Sequence, residues 1–410
     1  MSATNTSLTP LEQAHELMRA ATEPARLESE RVPLDKLSGR VLAADLLAPD
    51  ALPRWDYSAM DGYALAYADA VAAAGSELRV SQRIPAGRPG APLLPCTAAR
   101  IFTGSPIPPG ADTVVKQEDC LAGDGSVRVN ILPVCGANVR LAGEDIARGS
   151  LCLGAGARLD AAAIGLAASL GIAELPVRRR LKVTILATGD ELVRPGLALA
   201  AGQIYGSNNH VLYALLARAG CDVADLGHIE DTPKATQAAL SAAARDADLV
   251  ITTGGVSVGE EDHVRASVDH LGRIDLWRLD IKPGKPLAWG RIGATPFVGL
   301  PGNPVSAFVT YLLAVVPLLR HLQGMPQRAQ VAWPVRSAFT WQHPDKRREF
   351  LRARVQHGSE GPEAIIFSNQ SSGAISSVVW MEGLIDLPGG KVVRPGDTVR
   401  YLPLADLAEV

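Results

Sequence analysis

The chain has 410 residues, of which 47% are hydrophobic, and its formal net charge is −3. This length exceeds what one hydrophobic core usually organises, so we expect two to four domains. The small negative charge argues against a general nucleic-acid-binding protein, and the hydrophobic content argues against a disordered chain.

The cysteines and the apolar segments exclude further classes of protein. The five cysteines include no CxxC pair, so they indicate neither a zinc site nor a disulfide framework. The most apolar helical segment, residues 305–319, is short and contains Pro317, so we predict no membrane span. We also predict no signal peptide. A soluble cytoplasmic protein without nucleic-acid or membrane partners is therefore expected.

The first predicted elements are helices with recognisable start signals. The stretch Thr9-Pro10-Leu11-Glu12 supplies the N-cap, N1 and N3 residue types, which predicts a helix over 11–21. Residues 34–42 carry a weaker helical pattern. Further along the chain, Asp160 is placed to cap a helix over 161–170.

An aromatic segment and a series of β patterns lie between these helices. Residues 53–64 combine Trp, two Tyr and two Asp with a glycine. This segment is either an aromatic corner that packs a β domain or a loop that presents Asp61 to a polar ligand. Short β patterns separated by Gly and Pro follow, and they predict a small inserted all-β domain. These predicted strands are 78–84, 99–102, 113–116 and 127–131.

After the basic residues 178–180 the pattern changes to alternating strands and helices, which predicts a mostly parallel sheet with helices on both faces. The predicted strands are 182–187, 223–227 and 249–252, and the predicted helices are 208–219 and 233–245. Acids or hydroxyls follow each strand: Asp190 with Glu191, Glu230 with Asp231, and Ser257 with Asp262. Because parallel strands end at the same edge of a sheet, we expect these groups to share one rim.

The stretch from 248 to 310 concentrates three binding features. Gly254-Gly255 would let a ligand approach the backbone closely at the end of a buried strand. Lys282 and Lys285 flank Pro283-Gly284, which should form a tight turn. Asn303-Pro304 resembles an N-cap followed by an N1 proline, and such a helix start favours an anion. Each loop could also be turn chemistry alone.

Beyond Pro326 the helical pattern stops, and short strands predict a terminal β-barrel or sandwich. The predicted strands are 331–335, 350–355, 364–367 and 399–402. This region also supplies several arginines and a polar loop, which are Arg347, Arg348, Arg352 and residues 369–373.

Seven motifs in this order resemble the MoeA/gephyrin-E family, the molybdopterin molybdenumtransferases, from about residue 10 to the end of the chain. They are MDGYA (60–64), FTGSPIPPGAD (102–112), GEDI (143–146), TGDEL (188–192), GGVSVGEED (254–262), IKPGKP (281–286) and GLPGNPVSA (299–307). The TGGVSVG motif alone is less specific, because molybdopterin adenylyltransferases and competence-damage proteins share that domain. The MDGYA segment and the terminal β domain separate the family from both.

The resemblance implies an α/β multidomain fold. A central doubly wound, mostly parallel molybdopterin-binding sheet would occupy 179–326, with an inserted β domain at 51–139. An elongated helix-containing arm would comprise 1–50 and 140–178, and a barrel-like β domain would comprise 327–410. The resemblance also implies a homodimer in which MDGYA and TGDEL face each other across the interface, so that each site is built from both protomers.

The implied reaction takes adenylylated molybdopterin and molybdate as substrates and requires Mg²⁺. The adenylate is hydrolysed, molybdenum remains on the dithiolene, and AMP is released. Transient contacts with a molybdopterin adenylyltransferase and with downstream cofactor carriers are expected as well. Two alternatives are a gephyrin-like molybdopterin-binding scaffold and a tungsten-selective paralogue.

The resemblance assigns roles to the matched residues. Oxyanion and phosphate contacts fall to Lys282 and Lys285, with support from Arg348, Arg352 and Ser371. The backbone at Gly254, Gly255, Asn303 and Pro304 would cradle phosphate or pterin, and Ser257 and Thr103 would hydrogen-bond the ligand. Water activation falls to Asp61, Glu191, Asp231 and Asp262, and the Mg²⁺ ligands would be Asp61, Asp145, Glu191 and Asp262.

Overall fold

A computed structural model describes residues 8–23, 27–73, 75–255, 263–358 and 361–409. The described strands form three six-stranded sheets and four two-stranded ones. Each large sheet belongs to one of the predicted β or α/β regions, so the multidomain α/β architecture is confirmed.

The central sheet is mostly parallel. Its strands, in spatial order, are Asp222–Ile229, Lys182–Thr188, Leu249–Thr253, Thr295–Leu300, Pro286–Ile292 and Gly272–Arg278. The first four run parallel, whereas the last two pair antiparallel. The carboxyl ends of the parallel strands therefore lie at one edge, as predicted for the acids and hydroxyls that follow them.

Helices cover both faces of this sheet because its buried strands direct apolar side chains alternately to one face and to the other. Leu249 and Ile251 pack in one core with helix Asn208–Arg218. Val250 packs in a second core with helices Pro233–Asp246 and His263–Leu271. The doubly wound arrangement is thus confirmed.

The longest helical element is continuous from Pro304 to Leu322. It consists of Pro304–Thr310, a π-helical turn over Tyr311–Val315, and Val316–Leu322. By length and composition it could cross a membrane, but 78% of its apolar window is buried inside the protein. Such burial is typical of a core helix. The sequence analysis likewise predicts no membrane span in this segment.

Pro317 lies inside this element, and the amino-terminal helix provides a donor for the carbonyl that the missing N–H of Pro317 would leave unpaired. In an α-helix, residue 317 would donate to the carbonyl of Leu313. That carbonyl instead accepts a hydrogen bond from His15 Nε2 at 2.6 Å. His15 lies on helix Leu11–Ala20, which packs on the central core through Leu11, Ala14 and Met18.

The burial of His15 predicts a pH dependence of stability. Burial lowers the pKa of His15 from its usual value of 6.5. Its stabilising contribution is therefore complete above pH 6.5 and is lost as the pH falls through the depressed folded-state pKa. In His15→Gln the amide can donate to Leu313 without titrating, so unfolding measured by denaturant from pH 7 to 5 should show a smaller loss of stability. An identical pH slope in both proteins would contradict this role.

The amino-terminal sheet lies in the predicted inserted β domain. Its strands, in spatial order, are Thr113–Lys116, Gly62–Leu65, Thr97–Ile101, Glu77–Ile84, Ser126–Val129 and Cys120–Ala122. The arm pairs Ser29–Pro33 with Glu174–Arg178, and Leu46–Leu47 with Leu151–Leu153. Helix Ala161–Ser169 begins as predicted, since Asp160 Oδ1 accepts from the Ala163 N–H at 2.8 Å.

The helix predicted over 34–42 is wrong. Only a 3₁₀ turn forms at Leu34–Lys36, and the left-handed Gly39, at φ +73°, follows it. Val41 and Leu42 then form β-bridges with Arg158 and Val177. These long-range pairings outweigh a weak local helical preference.

The terminal domain is a closed five-stranded barrel. Its strands, in order around the barrel, are Arg348–Gly358, Gly361–Ile366, Trp333–Ser337, Thr398–Pro403 and Gly383–Leu387. The last of these pairs back onto the first. Closure removes exposed strand edges, but Ile281–Lys282 of the central region still pairs with the beginning of the Arg348–Gly358 strand.

Shorter elements complete the described part of the chain. Two small ladders pair Tyr57–Ser58 with Val139–Arg140 and Leu192–Val193 with Ile204–Tyr205. The remaining helices are Tyr67–Ala73, Ser376–Trp380, Leu404–Leu407 and the 3₁₀ turn Gln117–Asp119.

Candidate functional site

The glycine pair at the end of the central strand forms a compact turn without side chains. Gly254 and Gly255 both have positive φ, at 86° and 62°. A Cβ at Gly254 would lie 2.5 Å from the Thr188 carbonyl oxygen, and one at Gly255 would overlap Val264. Only glycine fits both positions, because other atoms of the protein already occupy the space that a side chain would need. Ser257 and Asp262 belong to residues 256–262, outside the described part of the chain.

The helix start at Asn303-Pro304 meets this turn and a loop of the barrel. Gly302 lies close to Gly254, since a Cβ on Gly302 would be 3.7 Å from the Gly254 Cα. The Val305 N–H donates to the Ser372 carbonyl at 3.1 Å. Pro304 is the N1 residue as predicted, but the Asn303 side chain makes no capping hydrogen bond. The barrel loop satisfies one of the backbone donors that a side-chain cap would otherwise serve.

A groove of about 940 Å³ opens at this carboxyl edge. Thr253, Asn303, Pro304 and Gly373 line one part of it, and residues 192–195 and 204–210 line another. Asn208 supports the groove by donating from Nδ2 to the Gly302 carbonyl at 2.7 Å. The volume suits a ligand of cofactor size.

The two predicted lysines have different surroundings. Lys282 Nζ lies 3.1 Å from Glu349 Oε1 and 3.7 Å from Asp345 Oδ2, and the Glu349 side chain is only 1% exposed. Lys285 is exposed. The positive charge of Lys282 is thus largely balanced within the protein, so Lys285 offers the more available ammonium group.

The turn between the lysines is anchored by the core helix. A Cβ on Gly284 would overlap Thr310 Oγ1, so the Pro283-Gly284 backbone packs directly on the end of helix Pro304–Thr310. At a rise of 1.5 Å per residue, the two ends of that helix are about 10 Å apart. One short helix therefore links the lysine turn to the groove.

Arg348 and Arg352 are not placed as exposed oxyanion contacts, which differs from the sequence prediction. Arg348 makes two bonds to Asp386, from Nε at 2.6 Å and Nη2 at 2.8 Å, and it also pairs with Glu12. Arg352 is 1% exposed, and burial lowers its pKa to about 10.

Arg352 instead holds the polar loop from within the protein. It donates to Ser377 Oγ at 3.1 Å and to the Ser371 carbonyl at 3.1 Å. In this arrangement the guanidinium shapes the loop that contacts Val305, and Ser371 itself is exposed beside the groove.

The aromatic segment packs into the β domain and leaves Asp61 at the surface. Tyr63 is buried in the β-domain core, whereas Asp61 is presented at the surface. Asp61 Oδ1 accepts hydrogen bonds from the Thr103 N–H and Thr103 Oγ1, both at 2.8 Å. The bond from the Thr103 N–H lowers the pKa of Asp61 most, and the bond from Thr103 Oγ1 lowers it further. The carboxylate is therefore kept ionised, as a cation ligand must be.

The other predicted acids lie elsewhere. Glu191 and Asp145 are exposed, and Asp231 directly precedes Thr232, the N-cap of helix Pro233–Asp246. Among the described residues, no three His, Cys, Asp or Glu side chains cluster closely enough to hold a metal ion. Within one chain, the predicted Mg²⁺ ligands Asp61, Asp145 and Glu191 are therefore not assembled.

Sequence reasoning missed the acids that hold Lys282. Glu349 also accepts from Trp341 Nε1 and the Asp345 N–H, both at 2.9 Å. A signal was present, because Glu349 directly precedes the apolar residues 350–351 of a predicted strand, and a glutamate buried beside them needs a charged partner. Its partner, however, is 67 residues away.

Family models cover nearly the whole chain in order. The MoeA N-terminal region (domains I and II) matches residues 9–171, the probable molybdopterin-binding domain matches 184–321, and the MoeA C-terminal region (domain IV) matches 334–404.

Relatives with known names agree with these matches. The molybdopterin molybdenumtransferase of Haemophilus influenzae is 43% identical over 74% of this chain and 75% of its own. Molybdopterin molybdenumtransferase 2 of Mycobacterium tuberculosis is 38% identical over 90% of this chain and 96% of its own. The crystal structure of the molybdopterin biosynthesis MoeA protein from Pyrococcus horikosii superposes with a TM-score of 0.81 at 30% identity, covering 97% of this chain and 99% of that one. With its fold, its domain order and these identities in agreement, the chain belongs to the molybdopterin molybdenumtransferase family of enzymes.

Proposed function

We propose that this enzyme catalyses magnesium-dependent hydrolysis of adenylylated molybdopterin in the presence of molybdate. Water cleaves the phosphoanhydride bond and AMP leaves, while the two thiols of molybdopterin bind molybdenum, displace one oxygen of molybdate and release it as water. The observation that carries this proposal is the meeting of a glycine turn and a helix start beside a groove of cofactor size, with the lysine turn at the other end of the same helix.

The residues of the groove fit an anionic substrate of this kind. A pyrophosphate can approach the side-chain-free backbone at Gly254-Gly255 and the helix start at Pro304. Lys285 supplies a positive charge that no described carboxylate balances by an ion pair, and Lys282 supplies a second one held by Glu349. Lys285 would therefore be the main cationic contact of a tetrahedral dianion such as molybdate, and Lys282 would donate hydrogen bonds to it.

The predicted acids fit magnesium by the chemistry of their donors. Mg²⁺ prefers carboxylate oxygens together with substrate phosphates. Thr103 holds Asp61 Oδ1, so Oδ2 would be the oxygen that holds the metal. When bound, the metal would supply the positive charge that allows carboxylates and a pyrophosphate to share one site.

We further propose that the site is completed in a homodimer. Asp61 and Asp145 of one protomer would then face Glu191, Asp231 and Asp262 of its partner. This arrangement is supported by the separate placement of Asp61 and Glu191 within one chain, where the described acids form no metal-binding group.

We place this reaction in the cytoplasm, between transient contacts with a molybdopterin adenylyltransferase and with carriers of the finished cofactor. Both substrate and product are reactive dithiolenes, so direct transfer would protect them from oxidation. Cross-linking with a purified adenylyltransferase, with and without substrate, tests the first of these contacts.

AMP release from adenylylated molybdopterin tests the function. We expect release only when molybdate and Mg²⁺ are both present, and loss of release in a chelator. Binding of molybdopterin without any release would favour the scaffold alternative. Release with tungstate but not with molybdate would favour the tungsten-selective alternative.

Replacing Lys285 by Ala should weaken molybdate binding. A lost charge-assisted contact of this kind costs about 1–3 kcal/mol, or roughly 5- to 150-fold in affinity. Lys285→Arg keeps the charge and should lose less. Molybdate dependence of AMP release measures the effect, and an unchanged half-saturating concentration in Lys285→Ala would contradict the assignment.

A further inference from the structure

Arg100 links two strands beside the proposed metal ligand Asp61. It lies on strand Thr97–Ile101, opposite Tyr63 of strand Gly62–Leu65. Its Nη1 donates to the Gly62 carbonyl at 2.9 Å, and its Nη2 donates to Gln117 Oε1 at 2.7 Å. One guanidinium therefore fixes the backbone immediately after Asp61.

Asp61 is held at several other points by the same part of the sheet. The Gln117 N–H donates to the Asp61 carbonyl at 3.0 Å, and Thr103 holds the side-chain oxygen Oδ1. Gly62 admits no side chain, because a Cβ there would overlap the Val115 carbonyl. The position of Asp61 is thus determined by Thr103, Gln117 and, through Gly62, Arg100.

Aromatic rings keep the Arg100 guanidinium in place. Its Cζ lies 4.7 Å from the centre of the Phe102 ring and 5.1 Å from that of Tyr63. Arg83, on the adjacent strand Glu77–Ile84, stacks on the same Phe102 ring at 4.6 Å. Arg100 donates the hydrogen bonds to Gly62 and Gln117. Arg83, which stacks on the same Phe102 ring, is therefore the control residue for Arg100.

We propose that Arg100 is a positioning residue for the reaction, which fixes the Asp61–Gly62 backbone so that Oδ2 of Asp61 is directed to the divalent cation. This role rests on the proposed function, since it requires Asp61 to be a magnesium ligand. Residues that orient a metal-binding carboxylate commonly change metal affinity or activity by about 10- to 100-fold when removed.

The test compares Arg100→Gln with Arg83→Gln, which remove the same charge from the same aromatic ring. In Mg²⁺ binding measured by calorimetry and in a magnesium titration of AMP release, Arg100→Gln should need about tenfold more Mg²⁺ for half-saturation and for half-maximal rate. Arg83→Gln should match the wild type. The KM for molybdate should be the same in all three proteins, because Lys285 is unaffected. Excess Mg²⁺ should restore most of the Arg100→Gln rate.

Two further variants make the outcome decisive. Gln117→Ala keeps the backbone N–H to Asp61 but removes the Nη2 acceptor, so it should raise the magnesium requirement by less than Arg100→Gln does. Asp61→Asn tests the proposed function on its own. If Asp61→Asn abolishes magnesium-dependent release while Arg100→Gln titrates like the wild type, the positioning role is wrong and the proposed function stands. If Asp61→Asn keeps its magnesium dependence, the metal assignment itself is wrong.

Discussion

Replacing Asp61 by Asn is expected to lower AMP release by on the order of 10²-fold or more. An amide is a weaker ligand than a carboxylate for Mg²⁺, and losing a direct ligand should exceed the 10- to 100-fold effect of outer-shell changes. The substitution preserves shape, and its amide oxygen can still accept both bonds from Thr103. Stability should therefore change little while turnover falls. Initial rates at saturating substrate, together with thermal unfolding, measure the two effects separately.

A matched control lies in the same domain. Asp124 is exposed in the turn between the strands Cys120–Ala122 and Ser126–Val129. Asp124→Asn makes the same change of charge and should keep the wild-type rate. Equal rates for Asp61→Asn and wild type in excess magnesium would contradict the role of Asp61.

Replacing Arg348 by Ala is expected to destabilise the protein by about 3 kcal/mol. The two bonds from Arg348 balance the Asp386 carboxylate, which is only 3% exposed. Removing one partner of a buried ion pair typically costs about 3–5 kcal/mol, because the other charge stays buried. The lower end is expected here, since Arg400 remains 3.4 Å from the same carboxylate. Denaturant unfolding measures the loss.

Arg400→Ala is the control for this prediction. Its side chain is 58% exposed, so its pair with Asp386 should contribute less than about 1 kcal/mol.

The Arg348→Ala variant also tests the ligand contact that the sequence predicted for Arg348. If Arg348→Ala kept wild-type stability but lost molybdate affinity, the guanidinium would be a ligand contact rather than a support of the barrel.

The elements that the sequence predicted well have strong local signals. Helix Pro233–Asp246 begins at a Thr-Pro pair, and its N-cap Thr232 accepts from the Ala235 N–H as such caps do. The parallel strands have buried β-branched runs that end at acids or glycines. In these segments local preference and tertiary packing favour the same structure.

The features that could not be predicted depend on contacts between distant residues. The pairing of Ile281–Lys282 with Arg348–Glu349 joins segments more than 60 residues apart. The burial of Arg352 follows from the path of the barrel loop, and an isolated arginine in a strand pattern carries no sign of it. Arginines on a barrel strand therefore resembled ligand contacts in the sequence, although two of them stabilise the barrel and its loop.

The short pairing of Ile281–Lys282 with the barrel has a consequence for dividing this chain into pieces. A fragment that ended near residue 326 would lose Phe350, Met381, Leu384, Leu402 and Leu407 from one of its two cores, although it would keep the complete central sheet. It would also lack Glu349, Asp345 and the neighbouring strand that set the direction of the Lys282 side chain. Such a fragment could retain weak pterin affinity while discriminating poorly among oxyanions, so selectivity for the metal would be a property of the joined domains.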